Sequence, residues 1–160
     1  FKSLVITEED AAKLGAQLEK LNLEAGLAGS LLVDESSGIL ASRGKVPRDD
    51  VESLGALLAC NFAAAQELSG NLSARGFSGL MQRGKELLLR AVRVDERRFL
   101  VLITGRNADR KALRGAVTYV KAPVAAYLKQ LDTLSANRLE RFHDLLASAA
   151  DIAVAGMKTA

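Results

Sequence analysis

The segment between residues 77 and 104 constrains the fold most, because it holds three apolar stretches separated by short polar turns. The stretches cover residues 77–82, 87–94 and 99–104, and the last two are nearly continuous in apolar residues. Such short turns connect antiparallel strands, since a parallel connection needs a crossover of a dozen or more residues. Nearly continuous apolar strands are typical of a sheet that is covered on both faces. The segment therefore predicts an antiparallel meander inside a layered domain.

The first part of the chain predicts a helix and a hairpin. Thr7 precedes three acidic residues and is a suitable N-cap, and Leu14, Leu18 and Leu21 then recur at helical spacing. Gly26 is a natural end for this helix. The predicted elements up to the meander are a helix over 8–25, strands over 28–34 and 39–42, and a helix over 50–74.

After the meander the sequence predicts two more helices. One runs from residue 112 to about 134 and is kinked or interrupted by Pro123, because proline lacks the amide donor that a helix interior uses. A break with a cap is expected at residues 135–137, followed by a last helix over 138–155. Its apolar face must be buried, either as a cover on its own domain or against a partner. We therefore divide the chain into a domain over 1–134 and a helical extension over 135–160.

Together these elements predict an α+β fold of three α/β/α layers with an extra C-terminal helix. A five-stranded antiparallel sheet would carry the second helix on one face and the first and third helices on the other.

The second helix has more apolar surface than one contact needs. A heptad-like seam runs along it, and Leu57, Phe62 and Ala64 widen the apolar surface beyond that seam. A helix of this kind packs against two things, here its own sheet and a partner chain, although a position wedged in a monomer core also accounts for it. The alanines of this helix would let a second helix approach closely, and Asn61 would fix the register between the two helices. The seam consists of Leu54, Leu58, Asn61, Ala65, Leu68 and Leu72.

The charge distribution suggests a basic surface but no nucleic-acid site. The net charge is +3, yet residues 71–121 hold 12 basic and 4 acidic side chains. Aromatic residues, which stack on bases, make up only 4% of the chain, so a solvated basic rim is the preferred interpretation. No stretch approaches the roughly 20 apolar residues that span a bilayer, so no membrane partner is expected. A single cysteine fits a reducing compartment, and we expect the cytoplasm.

No catalytic, metal or cofactor site is predicted. His143 is the only histidine and Cys60 the only cysteine, which is too few for a zinc site. Neither residue has an evident catalytic partner in the sequence, and the phosphate loop of nucleotide-binding proteins is absent. The chain is therefore expected not to be an enzyme.

The order of elements, with the Leu, Ala and Asn pattern of the second helix, Phe77, Gly84 and the apolar run 100–103, resembles the roadblock (dynein light chain) family. Within that family the pattern is most similar to bacterial MglB-type GTPase regulators. The resemblance implies a homodimer, formed by pairing of the second helix and by joining of sheets at the third strand. It also implies that the dimer binds a Ras-like small GTPase and acts on its switch residues. The residues expected at the dimer or partner surface are Leu54, Leu58, Asn61, Ala64, Ala65, Leu68, Leu72 and Phe77, with possible further contacts from Arg110, Lys111, Arg114 and Phe142.

Three functions remain open at this point. The chain is a regulator of GTP hydrolysis or a co-regulator, an adaptor dimer with no effect on nucleotide turnover, or a small-molecule sensor. The sensor is disfavoured because two tyrosines and no tryptophan offer little to line a ligand cavity.

Overall fold

The computed structural model describes residues 4–36, 38–46, 50–72 and 77–159, and the side chain of Val51 is not described. Five strands and three helices form in this part of the chain. In chain order they are α1 (Glu8–Ala25), β1 (Gly29–Asp34), β2 (Gly38–Gly44), α2 (Val51–Leu72), β3 (Gly79–Arg83), β4 (Leu87–Arg93), β5 (Arg98–Gly105) and α3 (Arg110–Lys158).

The strands form one sheet in the order β2-β1-β5-β4-β3, and all neighbours are antiparallel. The predicted meander is confirmed. The hairpin β1–β2 joins it through β1, which pairs with β5, so that Leu31 lies opposite Val101. The most apolar strands, β1 and β5, therefore lie inside the sheet, while β2 and β3 lie at its edges.

Helices cover the sheet as the sequence predicts, with α2 on one face and α1 and α3 on the other. Successive side chains of a strand point to opposite faces. On β5, Phe99 and Val101 accordingly pack with α2, whereas Leu100 and Leu102 pack with α1 and α3. The three-layer α/β/α fold is thus confirmed.

Helix α1 begins and ends where the sequence predicts. The hydroxyl of Thr7 accepts a hydrogen bond from the amide of Asp10, and the Asp10 carboxylate accepts from the amide of Thr7, which makes a capping box. At the other end Gly26 adopts a left-handed conformation with φ 61°.

Of the two predicted effects of Pro123, a kink or an interruption of the helix, α3 excludes the interruption. It runs for 49 residues with Pro123 inside it. A proline in a helix interior costs roughly 3 kcal/mol, chiefly through a lost hydrogen bond and a clash with the preceding turn. Buried residues on both sides of Pro123, such as Val120 and Val124, hold the two halves on the sheet and offset this cost. Pro123 itself is exposed.

The predicted break at residues 135–137 is also wrong, because α3 continues through them. Ser135 is buried, and its hydroxyl donates to the carbonyl of Val5 at 3.1 Å and accepts from the amide of Val5 at 3.2 Å. The serine therefore hydrogen-bonds the backbone amide and carbonyl of Val5 instead of capping a new helix. The C-terminal helix is present, as a direct continuation of α3.

Of the two roles predicted for this continuation, a cover on its own domain or a contact with a partner, the structure excludes the cover. From Leu139 onward every described residue of α3 is exposed. The twenty residues 139–158 extend for ~30 Å at the helical rise. Among the described residues, no helix combines the length and the apolarity that crossing a bilayer requires.

A network of ion pairs closes one end of the sheet. Arg98 is 3% exposed, and its guanidinium lies 3.4 Å from Asp34 and 3.5 Å from Asp95 and also contacts Asp132. Because Asp34 is fully buried, a paired cation is needed to keep its charge stable there. The network joins β1, the β4–β5 turn and α3.

Candidate protein interaction surface

The inner face of α2 is an aromatic cluster. Phe62 is fully buried and stacks on Phe99 of β5, with ring centroids 4.3 Å apart and ring planes 1° apart. The ring of Phe77 meets the Phe62 ring edge-on, with the two centroids 5.0 Å apart. The guanidinium of Arg93 lies 5.0 Å from the centroid of Phe62. Such aromatic contacts add to simple burial, so they hold α2 firmly to the sheet. This anchoring decides which side of α2 faces outward.

The outward side of α2 is an apolar strip that we call the outer strip. Its large members are Leu57, Leu68 and Leu72, which are 68%, 61% and 77% exposed. Ala64 lies between them and is exposed, Asn61 is half-buried, and Cys60, a free thiol, lies at the margin of the strip. The spacing 57, 61, 64, 68 and 72 keeps these residues on one side of a helix. The outer strip is a continuous apolar surface without a partner among the described residues.

The predicted seam residues differ in burial along α2. Leu54, Leu58 and Ala65, in the first two thirds of the helix, are buried or half-buried, whereas Leu68 and Leu72, near its end, are exposed. The seam and the outer strip share Asn61, Leu68 and Leu72, so they overlap on one side of the helix. Leu57, which the sequence analysis placed beside the seam, belongs to the outer strip.

An apolar groove adjoins the first half of α2, and we call it the α2 groove. It has a volume of about 990 Å³ and lies between α2 and the sheet, where the helix leaves parts of β4 and β5 uncovered. Leu87 is exposed, while Leu89 and Ile103 are half-buried there. Seam residues Leu54 and Leu58 line this groove. Its apolar lining is Leu31, Val46, Leu54, Leu58, Leu87, Leu89 and Ile103.

Strand β3 borders the same side of the molecule. It pairs only with β4, so its other edge carries no strand among the described residues. Phe77 precedes β3 and packs inward on Phe62, so it supports the strand from within and is not on the free edge. An edge strand with free backbone groups can pair with another chain.

The other predicted contact residues lie apart from one another. Arg110, Lys111 and Arg114 are exposed at the start of α3, where the Asp109 carboxylate caps the helix by accepting from the amide of Lys111 at 2.8 Å. Phe142 is exposed on the projecting part of the same helix. At 1.5 Å per residue, Arg114 and Phe142 are ~42 Å apart. Within one chain, therefore, they do not belong to the same compact site.

The histidine and the cysteine considered as catalytic residues lie on different helices. His143 and Cys60 are both exposed, the first on the projecting part of α3 and the second on α2. Within the described ranges, no group of three or more His, Cys, Asp or Glu side chains is placed to hold a metal ion. The surface features that stand out are apolar and suited to protein contact.

Comparison with known proteins identifies the family. The model of the Roadblock/LC7 domain matches residues 13–104, which is more than half of the chain. Myxococcus xanthus MglB is similar in structure with a TM-score of 0.71 and 25% identity, and the match covers 80% of this chain and 96% of that chain. An MglB with a tetrameric arrangement has a TM-score of 0.71 and 23% identity over 82% of this chain and 98% of its own.

The gliding protein MglB of Thermus thermophilus has a TM-score of 0.69 and 23% identity, with coverage of 81% of this chain and 98% of that chain. Among curated protein sequences there is no significant match. The five-stranded sheet between helices agrees with these structures, and the match to the domain model covers α1 from Lys13 onward through β5 up to Thr104. The chain belongs to the Roadblock/LC7 domain family.

Proposed function

We propose that two copies of this chain associate through the outer strip of α2 and the β3 edge, and that the dimer binds and regulates a Ras-like small GTPase. The observation that carries the proposal is the outer strip beside the α2 groove. Three leucines stand exposed on a helix whose opposite side is locked to the sheet by Phe62. Full burial of a leucine side chain contributes about 1.5–3 kcal/mol, so pairing of two such strips supplies a substantial driving force.

The geometry favours a symmetric arrangement. In a two-fold dimer the same patch contacts itself, so an apolar strip with small residues such as Ala64 is self-complementary. The free edge of β3 lies on the same side and offers backbone donors and acceptors for joining two sheets. Of the predicted contact residues, Ala64, Leu68 and Leu72 would form the core of the interface, and Leu54 and Leu58 would be reached through the α2 groove.

The regulatory role rests on the family and on the similarity to MglB structures. The roadblock resemblance implies that the dimer presents its paired helices to a GTPase and rearranges switch residues that the GTPase itself supplies. The basic residues Arg110, Lys111 and Arg114 would add electrostatic attraction for an acidic GTPase surface, which raises association rates more than affinity.

Light scattering after size-exclusion chromatography tests the dimer. Leu68→Glu places a charge in the outer strip and is expected to yield a monomer. Leu23→Glu is the matched control, because Leu23 is 77% exposed on α1, on the other face of the sheet, and this variant should stay dimeric. A monomeric unaltered chain, or a Leu68→Glu variant that remains dimeric, contradicts the proposed interface.

Phosphate release by a Ras-like GTPase from the same genome tests regulation. The unaltered chain should bind the GTPase and change its rate of GTP hydrolysis or nucleotide exchange, and Leu68→Glu should reduce the effect. Binding without any change in either rate identifies an adaptor and refutes regulation. Absence of binding to every such GTPase in the genome refutes the GTPase partner.

A further inference from the structure

A second concave site lies on the opposite face of the sheet from α2, between β4 and α3. Its volume is about 390 Å³. Arg90, Val92 and Val94 face it from alternate positions along β4 and just beyond its end, and Arg114, Val117 and Lys121 face it from one side of α3. We call it the cationic pocket, because three of its lining side chains are basic and none is acidic.

The cations of this pocket differ from those at the end of the sheet. Arg93, Arg97 and Arg98 each have a carboxylate within ion-pair distance. In the described part of the chain, by contrast, the side chains of Arg90, Arg114 and Lys121 form no ion pair or hydrogen bond. Arg90 and Lys121 are nevertheless half-buried. Arg114 is exposed at the rim. An anion in the pocket would supply the counter-charge that these three side chains lack among the described residues.

The floor of the pocket is aliphatic. Val94 and Val117 are buried, and Val92 is half-buried. Aliphatic side chains pack favourably against the alkyl groups of a ligand and form no hydrogen bonds with it. Small-molecule sites are typically concave, mostly apolar and about 300–1,000 Å³ in volume, with a few converging polar groups that orient the ligand. An apolar floor lined in addition by three basic side chains has this character.

We propose that the cationic pocket binds a small amphipathic anion, a carboxylate or phosphate group attached to a short aliphatic chain. The anionic group lies between Arg90, Arg114 and Lys121, where arginine and lysine donors form charge-assisted hydrogen bonds. The aliphatic chain contacts Val92, Val94 and Val117. The site is independent of the outer strip, since it lies on the other face of the sheet, and it would give the domain a ligand-responsive element apart from dimer formation.

Backbone amide NMR titration of the unaltered full chain tests the site with three probes. Octanoate has both the charge and the chain, octylammonium has the chain with the opposite charge, and acetate has the charge alone. Octanoate should shift the amide signals of Val92, Val94 and Val117, and the other two probes should not do so at equal concentration. Equal shifts from octylammonium or acetate, or octanoate shifts confined to the α2 groove, overturn the proposal.

Substitutions of the basic residues test whether octanoate binding depends on their charge. Arg90→Gln with Lys121→Gln removes both charges while keeping polar side chains, and should weaken octanoate binding at least about tenfold. Arg106→Gln is the matched control, because Arg106 is exposed and does not line the pocket, and its affinity should equal that of the unaltered chain. The single variant Lys121→Gln, with an intermediate affinity, serves if the double variant does not fold. Unchanged affinity in a folded double or single variant refutes the site.

Discussion

The Tyr127 hydroxyl on α3 donates a hydrogen bond to Oδ1 of Asp10 on α1, across 3.1 Å. The other oxygen, Oδ2, lies 3.2 Å from a guanidinium nitrogen of Arg138 and accepts from the hydroxyl and amide of Thr7. One carboxylate thus completes the capping box of α1 and connects it to α3. Burial on its own would raise the pKa of Asp10, but the hydrogen bonds from Thr7, Arg138 and Tyr127 outweigh it and lower the pKa from 3.8 to about 2.

This lowered pKa predicts an acid-dependent loss of stability. Because the folded state favours the charged form of Asp10, its contribution is present above about pH 4 and is lost as the pH falls through about 2. Asp10→Asn should lower the free energy of unfolding by about 1–3 kcal/mol at pH 7. Urea unfolding at pH 7, 4 and 2 should show the difference from the unaltered chain shrinking at the lowest pH.

The control for this experiment is Glu9→Gln. Glu9 is exposed and forms an ion pair with Lys13, a surface pair of the kind that contributes about 0.3–0.5 kcal/mol. Its substitution should change stability little at any of the three pH values. A difference between Asp10→Asn and the unaltered chain that does not depend on pH would contradict the role of the carboxylate charge.

Phe62→Ala tests the anchoring of α2. The substitution removes the stacked contact with Phe99 and leaves a cavity, so the free energy of unfolding should fall by about 3–5 kcal/mol. Thermal or urea unfolding measures the loss. Leu23→Ala, on the exposed side of α1, should stay within about 0.5 kcal/mol of the unaltered chain. A similar small effect for Phe62→Ala would mean that α2 is held by other contacts.

Arg98→Met tests the ion-pair network. The change leaves the fully buried Asp34 without the Arg98 cation, and loss of one partner of a buried pair typically costs about 3–5 kcal/mol. Arg83→Met is the matched control, since Arg83 is exposed at the end of β3 and should tolerate the change. Urea unfolding of both variants at neutral pH gives the comparison. Equal stability of the two variants would show that the network contributes little.

Truncation separates the projecting part of α3 from the part that belongs to the domain. Removal of residues 145–160 deletes only exposed side chains in the described range, so the melting temperature should change by no more than about 2 °C. Removal of residues 132–160 also deletes Ser135 and Arg138, which contact Val5 and Asp10. This longer deletion should lower the melting temperature by clearly more than the shorter one. Differential scanning calorimetry distinguishes the two outcomes, and a large drop for the shorter deletion would place residues 145–160 in the core.

The projecting part of α3 also allows a partner role to be measured separately from stability. The 145–160 deletion should leave the dimer intact if the outer strip of α2 forms the interface. A changed effect on GTPase turnover in that variant, with an unchanged melting temperature, would assign the projecting helix to partner contact. An unchanged effect would limit partner contact to the domain itself.

Local signals were sufficient for most of the elements. Helix α1 begins and ends as predicted, because Thr7 with Asp10 and then Gly26 act within a few residues of the helix ends. The strands of the meander were predicted within a few residues, since short turns and apolar runs are local features. For α2, the observed end at Leu72 is compatible with the prediction of residue 74, and residues 73 and 74 lie outside the described ranges.

The candidate surface was predictable only in part. That α2 is apolar on more than one side was visible in the sequence, and Leu68 and Leu72 are exposed apolar residues in the structure. Which side faces outward depends on Phe62 reaching Phe99, a contact between residues far apart in the chain. The cationic pocket likewise combines Arg90 of β4 with Lys121 of α3, and no local pattern predicts that pairing.

The sequence by itself determined the order of helices and strands through β5, the antiparallel meander and the family, because these depend on turns, caps and apolar periodicity over short distances. The tertiary structure decided the pairing of β1 with β5, the outward side of α2 and the continuity of α3 through Pro123. At Pro123 and Ser135 the local preference was for a break. Burial of Val120 and Val124 against the sheet, and the bonds from Ser135 to Val5, contribute more free energy than those local preferences cost.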